Sequence, residues 1–316
     1  MSETKSSTTT RLLEFFSRRP IRFSRLFARA LAALINTLKI TKTSRTIRLN
    51  IDICLPDLDH QRKLQITEAT IRNELQSYME FFSIWGSSNE TNIGRIREVH
   101  GAEYFHQALA KQKGIILLAP HFGTWEIMNA WFAQYTQMTI MYKPIKNDDA
   151  DVFVRQARSR EQATLVPTDE TGIRQIFKAL KQGGTTVILP DHNPKHGGEM
   201  IDYFGIPLES SNLSAKLLQK TKATGLLVYA IRNETEDFNV YIEPLDQAIY
   251  EGTAADGTAV IHRAIEQLII RYPEHAHWSY KRFRANPDLH DIYHVSHELA
   301  REKVAKVRAA QQAAQS

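Results

Sequence analysis

The sequence predicts an α/β fold in which a mixed, largely parallel central sheet is flanked by helices, with an amphipathic helical segment at the N terminus. Two observations carry this prediction. Short unbroken apolar runs, typical of strands buried on both faces of a sheet, alternate with stretches of helical period between residues 115 and 245. The first 45 residues instead mix apolar and basic side chains. A chain of 316 residues, 42% of them hydrophobic, can also bury a large core.

Composition predicts one large folded domain between two smaller segments. No Pro-, Gly- or Ser-rich linker divides the middle of the chain. We therefore predict a basic amphipathic segment over residues 1–45, an α/β domain over 46–295, and a helical or disordered tail over 296–316. The first ten residues, MSETKSSTTT, are predicted to be disordered.

The N-terminal segment has the pattern of a helix that lies on a membrane surface. Aromatic and aliphatic residues recur from residue 12 to residue 38, and they alternate with basic ones: Arg18, Arg19, Arg22, Arg25, Arg29, Lys39 and Lys42. The longest mostly apolar stretch, 30–35, is far shorter than the roughly 18 to 20 residues that cross a bilayer. A core helix with a solvated basic face and a mitochondrial-type transit peptide are the alternatives. A secretory signal is disfavoured because arginines interrupt the apolar run.

The segment GIILLAPHFGTWE, residues 114–126, predicts a buried strand, a turn and a helix start. The apolar run 115–119 suits a strand of a parallel sheet, and Pro120 closes it. A helical period follows, with Thr124 as its predicted N-cap. His121 then lies in the turn, where it can face Glu126 in the first helical turn.

This arrangement suits the abstraction of a proton from an alcohol. A histidine can act as the general base, and a carboxylate on its other ring nitrogen stabilises the imidazolium. The amides of Gly123, Thr124 and Trp125 lie at a helix start, where backbone N–H groups could face a developing oxyanion. Acyl transfer is therefore a natural hypothesis for His121 and Glu126. The alternative is a buried histidine that braces the turn.

Further strands and helices alternate along the chain. Strands are predicted at 138–142, 164–167, 185–191, 225–232 and 238–245, and helices at 62–82, 150–162, 172–180 and 213–220. The last two strands should be antiparallel, because residues 233–237 are too few for a crossover. Helix 62–82 is predicted to pack in the core, or alternatively to wall a groove for an acyl chain. The predicted strand 185–191 ends at Asp191, at a carboxyl end where ligands gather, so Asp191 is a candidate for substrate positioning; an Asx-type turn is the alternative.

Several segments together resemble a known family. They are the H-x4-E pattern at His121, Tyr142-Lys143-Pro144, RQIFKALKQGG at 174–184, Pro190-Asp191-His192 and WSYKRF at 278–283. The first is similar to the leading motif of the glycerolipid acyltransferases. Their order and spacing resemble the late lipid A acyltransferases of Gram-negative bacteria over roughly residues 10 to 290.

The resemblance implies a fold like that of glycerol-3-phosphate acyltransferase and a location on the cytoplasmic face of the inner membrane. It implies transfer of a lauroyl or myristoyl chain from acyl carrier protein to the hydroxyl of a 3-hydroxyacyl chain on a lipid A precursor. His121 would be the general base and Glu126 its partner, with no cofactor and no metal. Another membrane-associated lysophospholipid or glycerolipid acyltransferase remains an alternative.

Anionic substrates would require basic contacts. The predicted substrate-binding residues are Gly123, Thr124, Trp125, Lys143, Arg158, Asp191 and Arg282, with Arg155, Lys281 and Arg284 as weaker candidates. The family often has arginine at position 143 and W-x-H-R-R-F where this chain reads WSYKRF. Lysine keeps the charge but lacks the planar fork that binds a phosphate through two bonds.

Other function classes have less support. The excess of 40 basic over 35 acidic residues raises the pI to about 9.1, yet no zinc-finger spacing or RNP motif is present, so nucleic acid is not a predicted partner. The single cysteine, Cys54, is predicted to be a small packed residue. A metallohydrolase is an alternative, because His290, His294 and His297 would share one face of a helix. A membrane-surface scaffold is another alternative.

Overall fold

A computed structural model describes residues 8–38, 42–194 and 197–315. Of the ten residues predicted to be disordered, 1–7 lie outside this range, whereas 8–10 begin the first helix. Residues 39–41 of the basic segment and His196 also lie outside it. The chain divides into two compact units. The sheet unit comprises residues up to 31, 75–188 and 223–243, and the hairpin unit comprises 32–74, 189–222 and the residues from 244 onward.

Helices and strands follow one another along the described residues. The helices are α1 (Thr8–Ser17), α2 (Ile21–Leu38), α3 (Lys42–Cys54), α4 (His60–Gly86), α5 (Asn89–Ile93), α6 (Ala102–Lys111), α7 (Met128–Phe132), α8 (Asp148–Arg160), α9 (Glu170–Lys181), α10 (Leu213–Thr221), α11 (Ala254–Arg271) and α12 (His297–Gln315). The strands are β1 (Ile96–His100), β2 (Ile115–Leu118), β3 (Met138–Met141), β4 (Thr164–Val166), β5 (Thr185–Ile188), β6 (Glu199–Tyr203), β7 (Ile206–Ser210), β8 (Thr224–Arg232) and β9 (Phe238–Pro244). Single 3₁₀ turns occur at Trp125–Ile127, Gln247–Tyr250, Pro273–His275, Arg282–Ala285 and Pro287–Leu289.

The sheet unit is built on a seven-stranded sheet of order β1-β9-β8-β2-β5-β3-β4. The central strand β2 pairs in parallel with β5 on one side and β8 on the other. Strand β3 pairs in parallel with β4 and β5, and β1 pairs in parallel with β9. The short connection 233–237 joins the neighbours β8 and β9, which only an antiparallel pair permits. The predicted mixed, largely parallel sheet flanked by helices is confirmed.

Strand β2 lies in the middle of the core because it is apolar at every position. All four of its side chains, Ile115 to Leu118, are fully buried, as the unbroken apolar run predicts. Around them pack Phe105 from α6, Phe132 from α7 and Phe238 from β9. Burying each such side chain stabilises the fold by about 1.5 to 3 kcal/mol. The rigid core therefore fixes the carboxyl end of β2, where the turn with His121 begins.

The hairpin unit takes its name from the antiparallel pair β6–β7. Helix α11 begins with a capping box, in which the Thr253 hydroxyl accepts from the Asp256 amide while the Asp256 carboxylate accepts from the Thr253 amide. Helix α12 packs against α3 and β7, and Ala300 and Val304 on it are buried. In the segment predicted as a helical or disordered tail over 296–316, residues 297–315 form a packed helix, and the predicted boundary after residue 45 falls inside α3.

Within the described ranges, no helix has both the length and the apolar character needed to span a bilayer.

Candidate active site

The turn after β2 is held against the end of β8 by its backbone. Gly123 has a φ of +54° and forms an isolated parallel bridge to Ala230. A Cβ atom at Gly123 would lie 2.0 Å from the Ala230 carbonyl oxygen, so only glycine fits this position. The Thr124 amide donates to the same oxygen at 3.0 Å. The turn thereby places His121 beyond the carboxyl end of the central strand.

His121 is half-buried, and its ring meets the edge of the Trp125 indole with centroids 5.0 Å apart. Trp125 also contacts Phe81 of α4, with centroids 4.6 Å apart. Such aromatic contacts restrict the rotation of an imidazole. The five-residue spacing between His121 and Glu126 spans the turn and the start of the 3₁₀ turn, as the sequence predicts.

Glu126 is buried, and both of its carboxylate oxygens accept hydrogen bonds. Arg158 Nη2 donates to Oε1 at 2.8 Å and to Oε2 at 2.7 Å, and Trp85 Nε1 donates to Oε2 at 2.8 Å. Arg158 also donates through Nη1 to Glu161 at 3.0 Å. Charged hydrogen bonds in a buried setting hold both partners firmly. The Glu126 carboxylate is therefore fixed in place by residues from α4 and α8.

The electrostatics of this group depend on Arg158. Burial is the strongest single influence on its pKa and lowers it, but the charges of Glu126 and Glu161 and their hydrogen bonds raise the pKa above its usual range overall. Burial raises the pKa of Glu161, and the charge of Arg158 opposes that rise. One guanidinium thus lies between two carboxylates and pairs with both.

Arg158 was predicted to contact substrate, and its side chain is instead directed at two carboxylates of its own chain and is only 11% exposed. Trp85 and Glu161 were not predicted as site residues. The i,i+3 spacing of Arg158 and Glu161 is a signal that could have identified that pair. No sequence signal links Trp85 to Glu126, because they lie on separate elements.

Thr124 occupies the N-cap position of the 3₁₀ turn but makes no side-chain capping bond, so the predicted cap is wrong. Its hydroxyl donates instead to Glu80 Oε2 at 2.8 Å and lies 3.0 Å from the Ser77 hydroxyl. The hydroxyl forms a stronger bond by donating to a buried, charged carboxylate than it would form by accepting from a neutral backbone amide, as a cap does. The Thr124 amide, predicted as an oxyanion contact, donates to Ala230.

Lys143 lies in the exposed stretch that follows β3. Next to it, the Tyr142 hydroxyl donates to Asp151 Oδ1 at 2.7 Å, and the Ile145 amide donates to the same oxygen at 2.8 Å. Burial, together with that hydrogen bond, raises the pKa of Tyr142 to about 12. The Asp151 carboxylate thus binds the chain on both sides of Lys143.

In the hairpin unit, Arg282 is buried and has three protein acceptors. Its guanidinium donates to Ser210 Oγ at 2.6 Å, to the Glu209 carbonyl at 3.2 Å and to Asn193 Oδ1 at 2.5 Å. Burial lowers the pKa of Arg282, and the charge of Asp191 opposes this effect. The arginine therefore connects the loop after Asp191 to strand β7.

The same loop also contacts the WSYKRF segment. The Asn193 amide donates to the Tyr280 hydroxyl at 2.9 Å, and the rings of His192 and Tyr280 stack with centroids 3.9 Å apart. The two segments were predicted separately as substrate contacts, and the hairpin unit brings them together. The loop of Asp191 is consequently positioned by Tyr280 and Arg282.

Two other predictions concern residues outside these groups. His290, His294 and His297 do not share a helix, because a 3₁₀ turn ends at Leu289 and α12 begins only at His297. The prediction that these histidines share one helix face, as a metal site would need, is therefore wrong, and His297 Nε2 instead lies 2.5 Å from Asp52 Oδ2.

Cys54 is buried as predicted, and burial raises the pKa of its thiol, which disfavours a nucleophilic thiolate.

A family model for bacterial lipid A biosynthesis acyltransferases matches residues 10–285. A lipid A biosynthesis lauroyltransferase of Escherichia coli K12 is 22% identical over 256 residues, which cover 78% of this chain and 81% of that protein. A lipid A biosynthesis acyltransferase of Haemophilus influenzae is 25% identical over 265 residues, covering 81% and 80%. A lipid A biosynthesis palmitoleoyltransferase of E. coli K12 is 19% identical over 243 residues, covering 76% and 78%.

Proposed function

Because this chain belongs to the bacterial lipid A biosynthesis acyltransferase family, we propose that it transfers a lauroyl or myristoyl chain from acyl carrier protein to a hydroxyl of a 3-hydroxyacyl chain on a lipid A precursor. The observation that carries the mechanism is the His121 turn at the carboxyl end of β2, with a fixed Glu126 carboxylate in the helical turn that follows. Parallel sheets present their reactive groups at such ends.

In the proposed reaction, the acceptor hydroxyl transfers its proton to His121 as its oxygen attacks the thioester carbonyl. A carbon–oxygen bond forms, the carbon–sulfur bond breaks, and the proton returns from His121 to the departing thiolate of the carrier. Glu126 stabilises the imidazolium, and the amides of Gly123 and Trp125 stabilise the oxyanion. The Thr124 amide is not assigned to the oxyanion, because it donates to Ala230. No metal or cofactor takes part in the proposed steps.

Arg158 has a positioning role in this proposal rather than a phosphate contact. Two of its nitrogen atoms are directed at Glu126 and Glu161. With Trp85 it prevents rotation of the Glu126 carboxylate, which is how a second layer of side chains maintains a catalytic geometry.

Lys143 is the proposed contact to the anionic groups of the substrates, and Asp191 is a proposed contact to their polar groups. Lys143 is exposed, and its ammonium group suits a phosphate or the acidic surface of a carrier protein. Arg282 orders the loop that carries Asp191 through Asn193. The substrate contact in the hairpin unit is therefore assigned to the loop at 191–193, with Arg282 as its support.

The membrane surface is the proposed location, on the cytoplasmic face of the inner membrane. Helix α2 is amphipathic, but its large apolar side chains face outward and its small and polar side chains face the protein. At 3.6 residues per turn its outer face carries Phe23, Leu26, Phe27, Leu34 and Leu38, all exposed, whereas its inner face carries Ser24, Arg25, Ala28 and Ala32, all buried. Exposed Arg19 and Arg22 lie at the start of this stripe. Apolar side chains bordered by arginines fit a leaflet of anionic lipid.

The test is an acyl-transfer assay. Protein in detergent is mixed with acyl carrier protein that carries chains of different lengths and with a tetra- or penta-acylated lipid A precursor, and the product is weighed by mass spectrometry. We expect one added acyl mass. A lysophospholipid acceptor offered in parallel distinguishes the alternative acyltransferase activity.

Two variants test the mechanism. His121→Ala should lower the rate by about 10² to 10⁴ while the protein stays folded, and Glu126→Ala should also lower it strongly. His60→Ala, at an exposed histidine that begins α4, is the matched control and should retain full activity. Transfer by folded His121→Ala at the wild-type rate would exclude the histidine as the base.

A further inference from the structure

The Thr124 hydroxyl enters a buried polar network whose centre is Glu80 of α4. Glu80 is 0% exposed. Its Oε1 accepts from Arg25 Nε at 2.6 Å and from Arg232 Nε at 2.9 Å, and its Oε2 accepts from Thr124 at 2.8 Å. Ser77 completes the network, since its hydroxyl accepts from Arg232 Nη2 at 2.8 Å and lies 3.0 Å from the Thr124 hydroxyl.

The network joins elements that are far apart in the chain. Arg25 comes from the inner face of α2, Glu80 and Ser77 come from α4, and Arg232 ends β8. The contact between α2 and α4 is itself polar, with the hydroxyls of Ser24 and Ser83 3.2 Å apart. A helix whose outer face is apolar thus directs its polar side chains at the support of the catalytic turn.

Such a network is an unusual way to stabilise a core. Removing charges from water is expensive, and a buried ion pair is often no more stable than well-packed apolar side chains of similar volume. What a fully hydrogen-bonded network does provide is a unique arrangement of its members. The network contacts the turn at Thr124, the residue between Gly123 and Trp125. The arrangement that it specifies is therefore that of this turn.

We propose that Glu80 is a positioning residue of the site, which acts through the Thr124 hydroxyl to fix the orientation of the turn from His121 to Glu126. This proposal rests on the proposed function for its kinetic consequence, but not for its structural one. Thr124 is held at two points, by its amide on Ala230 and by its hydroxyl on Glu80. Two points fix the peptide planes on either side of Thr124, and the plane that follows Thr124 carries the Trp125 amide, one of the two assigned to the oxyanion.

The experiment removes the hydroxyl without removing volume. Thr124→Val deletes the bond to Glu80, and Thr124→Ser restores a hydroxyl. Thr186→Val is the matched control, because Thr186 is also buried in the sheet unit and its hydroxyl donates a single bond, to the Thr139 carbonyl at 2.7 Å. Each variant is measured for kcat, KM and Tm, and for amide hydrogen exchange over residues 121–127.

We expect Thr124→Val to lower kcat about tenfold with KM unchanged, and Thr124→Ser to restore most of it. Amide exchange over 121–127 should accelerate about tenfold in Thr124→Val alone. Thr186→Val should lower Tm by a similar amount without either effect. Equal kcat and equal exchange in Thr124→Val and Thr186→Val would overturn the proposal.

A double-mutant cycle tests Glu80 itself. Glu80→Gln keeps an oxygen that can accept from Thr124 but removes the negative charge that Arg25 and Arg232 share. Because Glu80 acts through Thr124, its effect on kcat should largely vanish in the Thr124→Val background, whereas additive losses would contradict the proposal. If Glu80→Gln does not fold, Ser77→Ala replaces it in the cycle.

The two proposals fail separately. If wild-type protein transfers no acyl chain, the proposed function fails, and the exchange measurement alone decides whether Glu80 and Thr124 hold the turn. If wild-type protein is active and the Thr124 variants behave like the Thr186 control, the positioning role fails and the proposed function stands.

Discussion

At the scale of single residues, the site depends on side chains that hold other side chains. Glu126 is held by Arg158 and Trp85, and Thr124 is held by Glu80. Glu80 is fully buried and Arg158 is only 11% exposed, so removing either one deprives polar groups of a partner where water has little access. Substitutions at the supports should therefore change both stability and rate.

Arg158→Gln should be strongly destabilising, because Glu126 and Glu161 would become buried carboxylates without a cation. Breaking a buried pair in this way costs about 3 to 5 kcal/mol. The matched control is Arg155→Gln on the same helix, where the guanidinium is 56% exposed and lies 3.9 Å from Asp151. Its free energy of unfolding should change by less than about 1 kcal/mol. Denaturant unfolding of both variants checks this, and equal losses would contradict it.

Gly123→Ala should prevent the turn from closing on β8. The added Cβ would meet the Ala230 carbonyl oxygen at 2.0 Å, in addition to the cost of a left-handed φ. We expect a loss of about 3 kcal/mol or more in unfolding free energy. Gly197→Ala separates the two effects, because Gly197 has a φ of +73° and open space around its Cβ position. Its loss should stay near 1 to 2 kcal/mol, and an equal loss at the two positions would exclude the clash.

At the scale of elements, α2 shows that an amphipathic pattern does not say which face is packed. The sequence predicts a basic amphipathic segment, and α2 is such a helix. Its small and polar side chains face inward because Arg25 pairs with Glu80 and the alanines allow close packing. The large apolar side chains consequently face outward.

Replacing the two most exposed leucines of α2 should release the protein from lipid vesicles. Leu26 and Leu34 are 67% and 54% exposed, so Leu26→Ser with Leu34→Ser should leave Tm nearly unchanged. Each buried leucine contributes about 1.5 to 3 kcal/mol, so we expect at least about a hundredfold loss of affinity for phosphatidylglycerol vesicles. Ile270→Ser on α11, also exposed, is the control and should bind as the wild type does. Unchanged vesicle binding by the double variant would contradict a lipid-facing role for α2.

At the scale of the whole molecule, two buried groups, Glu74 and His262, change stability in opposite directions as pH rises. Burial raises the pKa of Glu74 to about 7, against hydrogen bonds from the Ser279 and Trp278 amides that lower it. Burial lowers the pKa of His262 to about 4. The unfolded chain releases the Glu74 proton near pH 4.5, so Glu74 destabilises the fold as pH rises from 4.5 to 7. His262 destabilises it as pH falls from 6.5 to 4.

Glu74→Gln should isolate the first effect. Glutamine is uncharged like the protonated acid, and its side-chain oxygen can still accept from the Ser279 amide. The variant should gain roughly 3 kcal/mol relative to wild type between pH 4.5 and pH 8, with the change complete near pH 7. Guanidinium unfolding across this range gives the difference curve, in which the His262 contribution cancels. A difference that does not change with pH would show that Glu74 titrates normally.

Much of the fold follows from patterns that are local in sequence. The apolar run of β2 predicts a buried strand, and the residues after it predict a turn and a helix start. Two predictions from local patterns were wrong: Thr124 as a helix cap, and His290, His294 and His297 on one face of a helix. The first depends on Glu80, a competing partner from α4, and the second on where the chain leaves its helical path.

The sequence by itself determined the α/β architecture, the turn that carries His121 and Glu126, and the family, because strand and helix periodicities and motif spacing are properties of neighbouring residues. Tertiary structure alone decided the partners of that turn. Arg158 lies 32 residues from Glu126, Trp85 lies 41 residues from it, and Glu80 lies 44 residues from Thr124. Such pairs form only when packing brings separate helices to one place, and burial then makes their hydrogen bonds obligatory.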